Sequence, residues 1–362
     1  MPYFVMFGSM FAMLLIGVPI GVALAGAMVL LLFVEPVTSM TFVTQAMYTG
    51  VGNFTLLALP FFIISGSIME TGGISKRLVN VANSILGMVT ILACMFFGAI
   101  SGSSPATVAA IGAIMVPQMV RAGYDKYYAT ALIAVAGGLG VIIPPSIPFV
   151  LYSLATGVST GDLFLAGVIP GILIGVSLCL YTTFYCKKHK YINKDALPFS
   201  WGNVGRTLKD GVWALLVPVI ILGGIYGGIF TPTEAAAVAV AYGLVVGLFV
   251  YRDLKLKDLY RIFANAALTT ATILIILGTA TTFGRILTLE RVPMLIADFF
   301  ESATDSRVVL LMLINILLLF VGCFMDTNAA IIILAPIFLP IVEAMDVDPI
   351  HFGIIMVGNL AI

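Results

Sequence analysis

The apolar residues of this chain fall into long runs separated by short polar stretches. The runs are Tyr3–Val34, Phe54–Met69, Ser84–Ala113, Tyr128–Ala155, Leu163–Tyr185, Val212–Phe230, Ala235–Tyr251, Ala264–Leu289, Val308–Val321, Ala329–Val342 and Phe352–Ile362. A membrane-crossing helix needs about 20 consecutive apolar residues. Several runs are too long for one helix or too short for a crossing, and Pro19 interrupts the first. The pattern predicts broken helices and re-entrant hairpins, whose non-helical backbone must be buried in protein or line a watery cavity.

The composition places these runs in a membrane. Of the 362 residues, 61% are hydrophobic and 9% are charged, with 17 Lys+Arg balanced by 17 Asp+Glu and a mean hydropathy of +1.16. A soluble domain carries about 25% charged residues, so this chain cannot cover itself with a polar surface. We predict an all-α polytopic membrane protein with roughly ten spans. A soluble enzyme, a nucleic-acid binder and a single-anchor receptor are excluded.

Several kinds of chemistry lack the residues they would need. The chain has no G-x-x-x-x-G-K-[ST] motif, so we expect no nucleotide hydrolysis. The cysteines do not pair at metal-ligand spacing, and the two histidines are isolated in sequence; these residues are Cys94, Cys179, Cys186, Cys323, His189 and His351. No Ser/His or paired-Asp arrangement suggests an intramembrane enzyme. We therefore predict no catalytic residues and no histidine or cysteine metal site.

Two basic stretches orient the chain. Cys186–Gly211 and Tyr251–Arg261 carry most of the lysines and arginines of the middle of the sequence. The positive-inside rule places both on the cytoplasmic face. Two apolar runs separate them, so both must lie on one side, in agreement with their charge.

The sequence also contains an internal repeat. Gly98–Pro117 (GAISGSSPATVAAIGAIMVP) resembles Val321–Pro340 (VGCFMDTNAAIIILAPIFLP). A constant offset of 223 places Ser103 opposite Asp326 and aligns the final prolines. The segment GVPIGVALA, which begins at Gly17, likewise resembles FTPTEAAAVA, which begins at Phe230. Paired halves with interrupted segments at matching positions are typical of secondary transporters.

The repeat defines the expected organisation. We predict a first repeat over residues 1–185, a cytoplasmic basic loop over 186–210 and a second, inverted repeat over 211–362, with hairpins near 85–117 and 308–342 and a broken helix near 137–148. The counterpart of Gly140 would be residue 363 (140 + 223), beyond the last residue. We therefore expect the second repeat to be truncated, without its own proline break.

The tip of the first hairpin is the strongest candidate site. Ser101–Thr107 (SGSSPAT) lies between two apolar arms too short to cross. Hydroxyls and unwound carbonyls are hard oxygen ligands that suit Na⁺. A half-helix starting near Pro105 would also present free N–H groups to a carboxylate. The structural alternative is a helix contact built from small residues.

A second candidate feature is the double proline in Gly137–Pro148 (GGLGVIIPPSIP). Adjacent prolines remove two N–H donors and push the preceding residues out of helical geometry. Carbonyls around Gly140, Val141 and Ile143 are then free. They could complete a cation site with Ser101 and Ser103. A plain kink is the structural alternative.

Asp326 is an acid within an apolar run, at the position opposite Ser103 in the repeat. An intramembrane carboxylate is costly unless it is paired or ligated. Together with Thr327 and Asn328 it offers oxygens for a second cation. The alternative is an interfacial, solvated side chain.

Arg285 is the only basic residue between Arg261 and Arg291. Arginine binds a carboxylate in a planar bidentate geometry, which makes Arg285 a candidate substrate contact. The alternative is a side chain that reaches the membrane interface near Glu290. Glu234, in TPTEAAAVA, is instead predicted to lie in the first turn of a helix and to take part in its capping.

Four strings together resemble the large membrane subunit, the M or DctM-type subunit, of tripartite ATP-independent periplasmic (TRAP) transporters. They are LLALPFFIISGSIMETGGISKRL from Leu56, GAISGSSPATVAAIGAIMVPQM from Gly98, GGLGVIIPPSIPFVLY from Gly137 and GGIFTPTEAAAVAVAY from Gly227. The resemblance implies Na⁺-driven uptake by an elevator-type transporter in the bacterial inner membrane. It also implies two partners, a small membrane subunit (Q-type) and a periplasmic substrate-binding protein (P-type). Because no small-subunit helices precede Met1, we expect the small subunit to be a separate chain.

The resemblance assigns sodium ligands residue by residue. The first Na⁺ site maps to Ser101, Ser103, Gly140, Ile143 and Pro145, and the second to Gly322, Asp326 and Thr327, with its other half beyond the last residue. Candidate substrate contacts are Arg285, Ser104, Thr107 and Asn328.

The substrate expected from these residues is an organic acid. A single central arginine suits one carboxylate, and FGRILTLERVP around Arg285 resembles the sialic-acid branch of the family. Sialic acid or a similar sugar acid is the preferred prediction, and a C4-dicarboxylate or a keto acid is the alternative. A stand-alone elevator transporter and a passive channel are the alternatives from other functional classes.

Overall fold

A computed structural model describes residues 2–34, 38–72, 86–189, 201–292, 295, 306–323 and 325–361. Its regular elements within these ranges are helical. The first half contains α1 (Pro2–Leu15), α2 (Ile20–Val34), α3 (Met40–Val51), α4 (Ala58–Thr71), α5 (Leu86–Ser101), α6 (Ser104–Arg121), α7 (Lys126–Ile142), α8 (Ile147–Thr156) and α9 (Thr160–Lys188). The second half contains α10 (Trp201–Tyr226), α11 (Pro232–Val245), α12 (Leu256–Leu289), α13 (Arg307–Gly322), α14 (Thr327–Ala344) and α15 (Pro349–Leu360).

Two helical hairpins confirm the predicted interruptions. Hairpin 1 is α5 and α6, and hairpin 2 is α13 and α14. Each arm has 16 or 18 residues, which is about 24–27 Å of helix, less than the roughly 30 Å of a bilayer core. The helix predicted to break at the double proline does so, with an angle of 44° between α7 and α8. The first apolar run breaks between α1 and α2, where Gly17 has a φ of 86° two residues before Pro19.

The helix boundaries follow the predicted offset of 223. Helix α14 starts and ends where α6 does (104 + 223 = 327; 121 + 223 = 344), and α15 starts where α7 does (126 + 223 = 349). The capping residues correspond as well, because Ser103 matches Asp326 and Asp125 matches Asp348. The repeat in sequence is therefore a repeat in secondary structure.

In the part of the chain that the structure describes, fewer helices reach spanning length on their own than the roughly ten expected. Among the described residues five helices pass a test of length and apolar composition, one of them the hairpin arm α14, and a sixth span arises if α7 and α8 count together. Much of the apolar sequence instead forms hairpin arms and shorter helices. Dividing the number of apolar residues by the length of one span therefore overestimates the number of membrane-crossing helices. Helix α9 is one full span, and its exposed Ile169, Leu173 and Leu180 present apolar surface outward, as lipid contact requires.

The basic stretch predicted as a loop over 186–210 is partly helical. Helix α9 continues to Lys188 and α10 already begins at Trp201. Residues 190–200 lie outside the described part of the chain. Helices tolerate basic residues at their ends, since the side chains reach the polar interface, and the helices therefore extend into the basic stretch from both sides.

Helices of the two halves share one large buried apolar cluster, and hairpin 1 packs with α7 in a second one. The Tyr152 hydroxyl of α8 donates a hydrogen bond to the Pro349 carbonyl at the start of α15, with an O–O distance of 2.7 Å. Gly353 lies against the same ring, and a Cβ added there would come within 2.6 Å of it. Tyr152 is completely buried. The broken helix of the first half is thus fixed to α15 of the second half.

Candidate functional site

The tip of hairpin 1 is a two-residue turn between α5 and α6. Gly102 has a φ of 61°, in the left-handed region that favours glycine. Ser103 is the N-cap of α6, and its side chain accepts a hydrogen bond from the Ala106 N–H at 3.5 Å. The turn therefore leaves the Ser103 carbonyl and the neighbouring hydroxyls close together.

Three oxygens converge at this tip. The Thr107 hydroxyl donates to the Ser103 carbonyl at 2.8 Å and lies 3.1 Å from the Ser101 hydroxyl. The Ser101 hydroxyl is also 3.4 Å from the Ser103 carbonyl. Ser101 and Thr107 are buried. Hydroxyl and carbonyl oxygens without a soft ligand are the donor set expected for Na⁺. Thr107, predicted as a substrate contact, is part of this oxygen cluster.

The broken helix closes over the tip. Pro144 and Pro145 have no N–H, so the carbonyls of Gly140 and Val141 lose their usual donors four residues on. The Val141 carbonyl accepts a hydrogen bond from the Ser146 hydroxyl instead. Gly140 is placed directly on the tip: a Cβ there would lie 2.5 Å from Thr107 Oγ1 and 3.0 Å from the Ser103 carbonyl.

Two further contacts join the break to the tip. The Ile147 N–H donates to the Gly102 carbonyl at 3.2 Å. A Cβ at Gly102 would lie 2.9 Å from the Pro145 carbonyl. The structure thus brings Ser101, Ser103, Gly140 and Pro145 of the first predicted sodium site together, with Thr107 added. The side chain of Ile143 points towards Gly171 of α9.

The tip of hairpin 2 repeats the design with a carboxylate. Asp326 caps α14, and its Oδ1 accepts hydrogen bonds from the N–H groups of Asn328 at 3.0 Å and Ala329 at 3.3 Å. The side chain is exposed. The sequence prediction identified the acid but missed its capping role. An acidic residue at a helix start that aligns with the N-cap Ser103 is the signal that would have revealed it.

The rest of this tip contacts the end of α15. The Thr327 hydroxyl donates to the Leu360 carbonyl at 2.8 Å. A Cβ at Gly322 would lie 3.4 Å from the Leu360 Cα. Gly322, Asp326 and Thr327 therefore surround one tip. Among the described residues the buried Oδ1 of Asn328 has no hydrogen-bond partner, which leaves an acceptor available to a ligand.

Arg285 lies apart from both tips. It is exposed, sits one turn before the end of α12, and its Nη1 donates to the Thr49 hydroxyl at 3.4 Å. It lines a cavity of about 450 Å³ whose other lining residues are Phe42, Leu154, Ala155, Thr281, Gly284, Thr288, Leu289, Ile332 and Pro336. Ile332 and Pro336 follow Asn328 by four and eight residues, about 6 and 12 Å along α14. Of the predicted substrate contacts, Ser104, Thr107 and Asn328 lie at the tips, and Arg285 is not joined to them.

Glu234 caps a helix, as predicted. Its carboxylate accepts hydrogen bonds from the N–H and the hydroxyl of Thr231, while the Thr231 side chain accepts from the Glu234 N–H. This reciprocal capping box fixes the start of α11. The acid is thereby used structurally.

Comparison with known proteins agrees with this architecture. The family model described as "Tripartite ATP-independent periplasmic transporter, DctM component" matches residues 7–362. The chain is 45% identical to the isethionate TRAP transporter permease protein DctMQ of Oleidesulfovibrio alaskensis, across 100% of this chain and 58% of that protein. It is 43% identical to the C4-dicarboxylate TRAP transporter large permease protein DctM of Pseudomonas aeruginosa, across 94% and 80%. It is 39% identical to the sialic acid TRAP transporter large permease protein SiaM of Vibrio cholerae, across 99% and 86%.

A solved structure shares the fold. The crystal structure of the Alcanivorax borkumensis YdaH transporter superposes with a TM-score of 0.61 and 16% sequence identity, covering 88% of this chain and 76% of that one. At this identity the similarity concerns the fold alone. The overall helical fold is therefore shared with a solved transporter structure.

Proposed function

The chain belongs to the DctM component family of TRAP transporters, and we propose that it is the transport subunit of a system that takes up an organic acid together with Na⁺. It is a multi-pass protein of the bacterial inner membrane. Its relatives are named permeases, in line with the prediction that it is not an enzyme.

The observation that supports coupling to sodium is the equivalence of the two hairpin tips. Each tip has an oxygen-bearing N-cap at the same repeat position, and each packs against backbone of a neighbouring helix. At the tip of hairpin 1 (tip 1) the oxygen ligands are those of Ser101, Ser103 and Thr107, beside Gly140. At tip 2 the Asp326 carboxylate keeps Oδ2 outside its capping bonds. We assign one Na⁺ to each tip.

Counting helices from the basic stretch gives the two hairpins opposite orientations. With residues 186–211 in the cytoplasm, α10 leads outward, α11 returns and α12 leads outward again, so hairpin 2 enters from the periplasmic side. Counting backwards, α9 starts outside and the α7–α8 pair leads outward from the cytoplasm. Hairpin 1 therefore enters from the cytoplasmic side. Opposed hairpins with their tips near the membrane centre support an inverted repeat and an elevator-type mechanism.

The proposed partners are a periplasmic substrate-binding protein and a small membrane subunit. One relative carries the name DctMQ and is longer than this chain, so a small subunit on a separate chain stays a prediction. The named relatives handle isethionate, C4-dicarboxylates and sialic acid, and they do not choose among substrates. Sialic acid therefore stays a prediction, with a C4-dicarboxylate or keto acid as its alternative.

Reconstitution tests the proposed function. Proteoliposomes containing the chain and its small subunit, supplied with the binding protein, should accumulate the acid above its external concentration only under an inward Na⁺ gradient. Replacing Na⁺ by K⁺ is the matched control. Flux that never exceeds equilibration and ignores Na⁺ would identify a passive channel instead. Accumulation without the binding protein would identify a stand-alone transporter.

A further inference from the structure

The cavity beside Arg285 is separate from the hairpin tips and has walls from two groups of helices. Helices α3 and α12 supply Phe42 and Arg285, while α8 and α14 supply Leu154 and Ile332. Arg285 follows Arg261 by 24 residues of one helix, about 36 Å, which exceeds the roughly 30 Å of a bilayer core. With Arg261 at the cytoplasmic end, the cavity lies at the periplasmic edge of the membrane.

Of the lining residues that the structure describes, Arg285 is the single ionisable one. Its guanidinium contacts the neutral Thr49 hydroxyl, and within the described ranges it forms no ion pair. The contact with α3 directs the side chain across the protein instead of along α12 towards Glu290. Four of its five N–H donors remain for a ligand, enough for a two-pronged bond to an oxyacid group.

The two hydroxyls on the lining have already used their protons. Thr281 donates to the Leu277 carbonyl at 2.7 Å, and Thr288 donates to the Gly284 carbonyl at 2.9 Å. Each can still accept a hydrogen bond, but neither can donate one to an anion. The remaining lining side chains are apolar, and they include Phe42, Leu154, Ala155, Leu289, Ile332 and Pro336.

From this lining we infer that the cavity binds a small, singly charged organic acid, with its carboxylate or sulfonate on Arg285, at most one or two hydroxyls donating to Thr281 and Thr288, and its carbon body against the apolar wall. A second carboxylate would be placed against apolar side chains without a counter-charge, which is strongly unfavourable. A polyhydroxylated sugar acid would leave most of its hydroxyls without partners there. The cavity therefore favours neither a C4-dicarboxylate nor sialic acid.

This inference rests on the proposed uptake of an organic acid and specifies its substrate. The cavity lies about 6 to 12 Å along α14 from Asn328 at the tip of hairpin 2, measured to Ile332 and Pro336. An acid held there from the periplasmic side lies outside both sodium sites. The cavity is thus an outer binding site, through which the acid passes before it reaches the tips.

Cysteine protection tests the inference on the purified full chain without a sodium gradient. Thr288→Cys, in a background with Cys179→Ser and Cys323→Ser, places a thiol on the lining. Thr44→Cys, an exposed position of α3 that is not on the lining, is the matched control. The rate of maleimide labelling is measured against isethionate, lactate, succinate and N-acetylneuraminate.

Isethionate and lactate should slow labelling of Thr288→Cys and leave Thr44→Cys unaffected. Succinate and N-acetylneuraminate should need at least about tenfold higher concentrations for the same protection. This is the effect expected when one charged or buried polar group of the ligand is left without a hydrogen-bond partner. Adding Arg285→Gln should raise the half-protecting concentration of lactate about 10- to 100-fold. Arg285→Lys should also weaken protection, since lysine lacks the planar fork.

Three results would overturn the inference. They are equal protection by all four acids, protection that survives Arg285→Gln unchanged, and protection by phosphatidylglycerol when none of the acids protects. The last would make Arg285 a contact for lipid headgroups at the membrane interface. Because labelling needs neither Na⁺ nor partners, loss of Na⁺-driven uptake with intact protection would refute the proposed function alone.

Discussion

Replacing Gly140 by alanine should disable the sodium site at the tip of hairpin 1. The added Cβ would lie 2.5 Å from Thr107 Oγ1 and 3.0 Å from the Ser103 carbonyl. These are two of the three oxygens that converge at the tip. The substitution therefore adds one methyl group at the place where the broken helix contacts the hairpin.

The required displacement can be worked out from these distances. Ordinary contact with a Cβ begins at 3.4 Å, so Thr107 Oγ1 must move by roughly 0.9 Å (3.4 − 2.5). Cation–ligand distances tolerate about 0.2 Å. Rotation of the Thr107 side chain would avoid the clash, but it would break the hydroxyl's bonds to Ser103 and Ser101. Either response removes one ligand, and overpacking itself costs about 1–3 kcal/mol of stability.

Two measurements separate the loss of sodium binding from the loss of stability. The Na⁺ concentration for half-maximal uptake should rise at least about tenfold, the effect of losing roughly 1.4 kcal/mol of ligation. The melting temperature of the purified protein should no longer rise with Na⁺, since only a bound ion stabilises the folded state in this way. Thr107→Val, which keeps the shape and removes the hydroxyl, should reproduce the sodium defect without overpacking.

Gly223→Ala is the control, because a Cβ at that glycine of α10 meets nothing within 4 Å. It should leave both the sodium dependence and the stability near those of the unmodified protein. The reasoning is refuted if Gly140→Ala is properly inserted and retains an unchanged half-maximal Na⁺ concentration. The tip oxygens would then be a structural network only.

Three further substitutions test the remaining elements of the site. Asp326→Asn keeps a good N-cap for α14 and removes the charge, so its melting temperature should hold while Na⁺-coupled accumulation is lost; unchanged accumulation would leave Asp326 with capping alone. Pro144→Ala combined with Pro145→Ala restores two N–H donors to the broken helix, and uptake should need more Na⁺ even though the protein expresses; normal sodium dependence would reduce the prolines to a kink. Tyr152→Phe removes the hydrogen bond to Pro349 and should destabilise the protein by about 1 kcal/mol in a thermal unfolding assay; an unaltered melting temperature would show that packing alone joins the two halves.

The interruptions of the fold could be predicted because their causes are local. Pro144 and Pro145 remove donors at fixed positions, and Ser101–Thr107 combines small and polar residues that cannot continue an apolar helix. The offset of 223 then placed the second hairpin, and it also fixes the ends of α14 and the start of α15. The number of membrane-crossing helices was harder to predict from the sequence. An apolar helix of 16 residues has the same composition whether it is part of a membrane span or an arm of a hairpin.

The oxygen cluster could be predicted only in part. Ser101, Ser103 and Gly140 were identified, because loss of helical donors is readable from proline positions. Thr107 was predicted as a substrate contact, and its place in the oxygen cluster was missed: its hydroxyl donates to the Ser103 carbonyl four residues earlier. Such a bond depends on the side-chain rotamer at the start of α6, which the sequence does not specify. The separation of Arg285 from the tips depends on how α12 packs against α14, which is a tertiary property.

The two tips differ in one respect that bears on the substrate. Their N-caps occupy equivalent positions, but Ser103 is neutral and Asp326 is an acid. In the proposed mechanism two sodium ions bring two positive charges, of which one is offset by Asp326. A singly charged acid offsets the other. The two hairpin tips with their sodium ions and the bound acid then cross the membrane without net charge. A doubly charged acid would leave an uncompensated negative charge in the low-dielectric interior, which is costly there. The charge difference between the tips and the single arginine of the outer cavity therefore favour the same class of substrate, although they lie in different parts of the molecule.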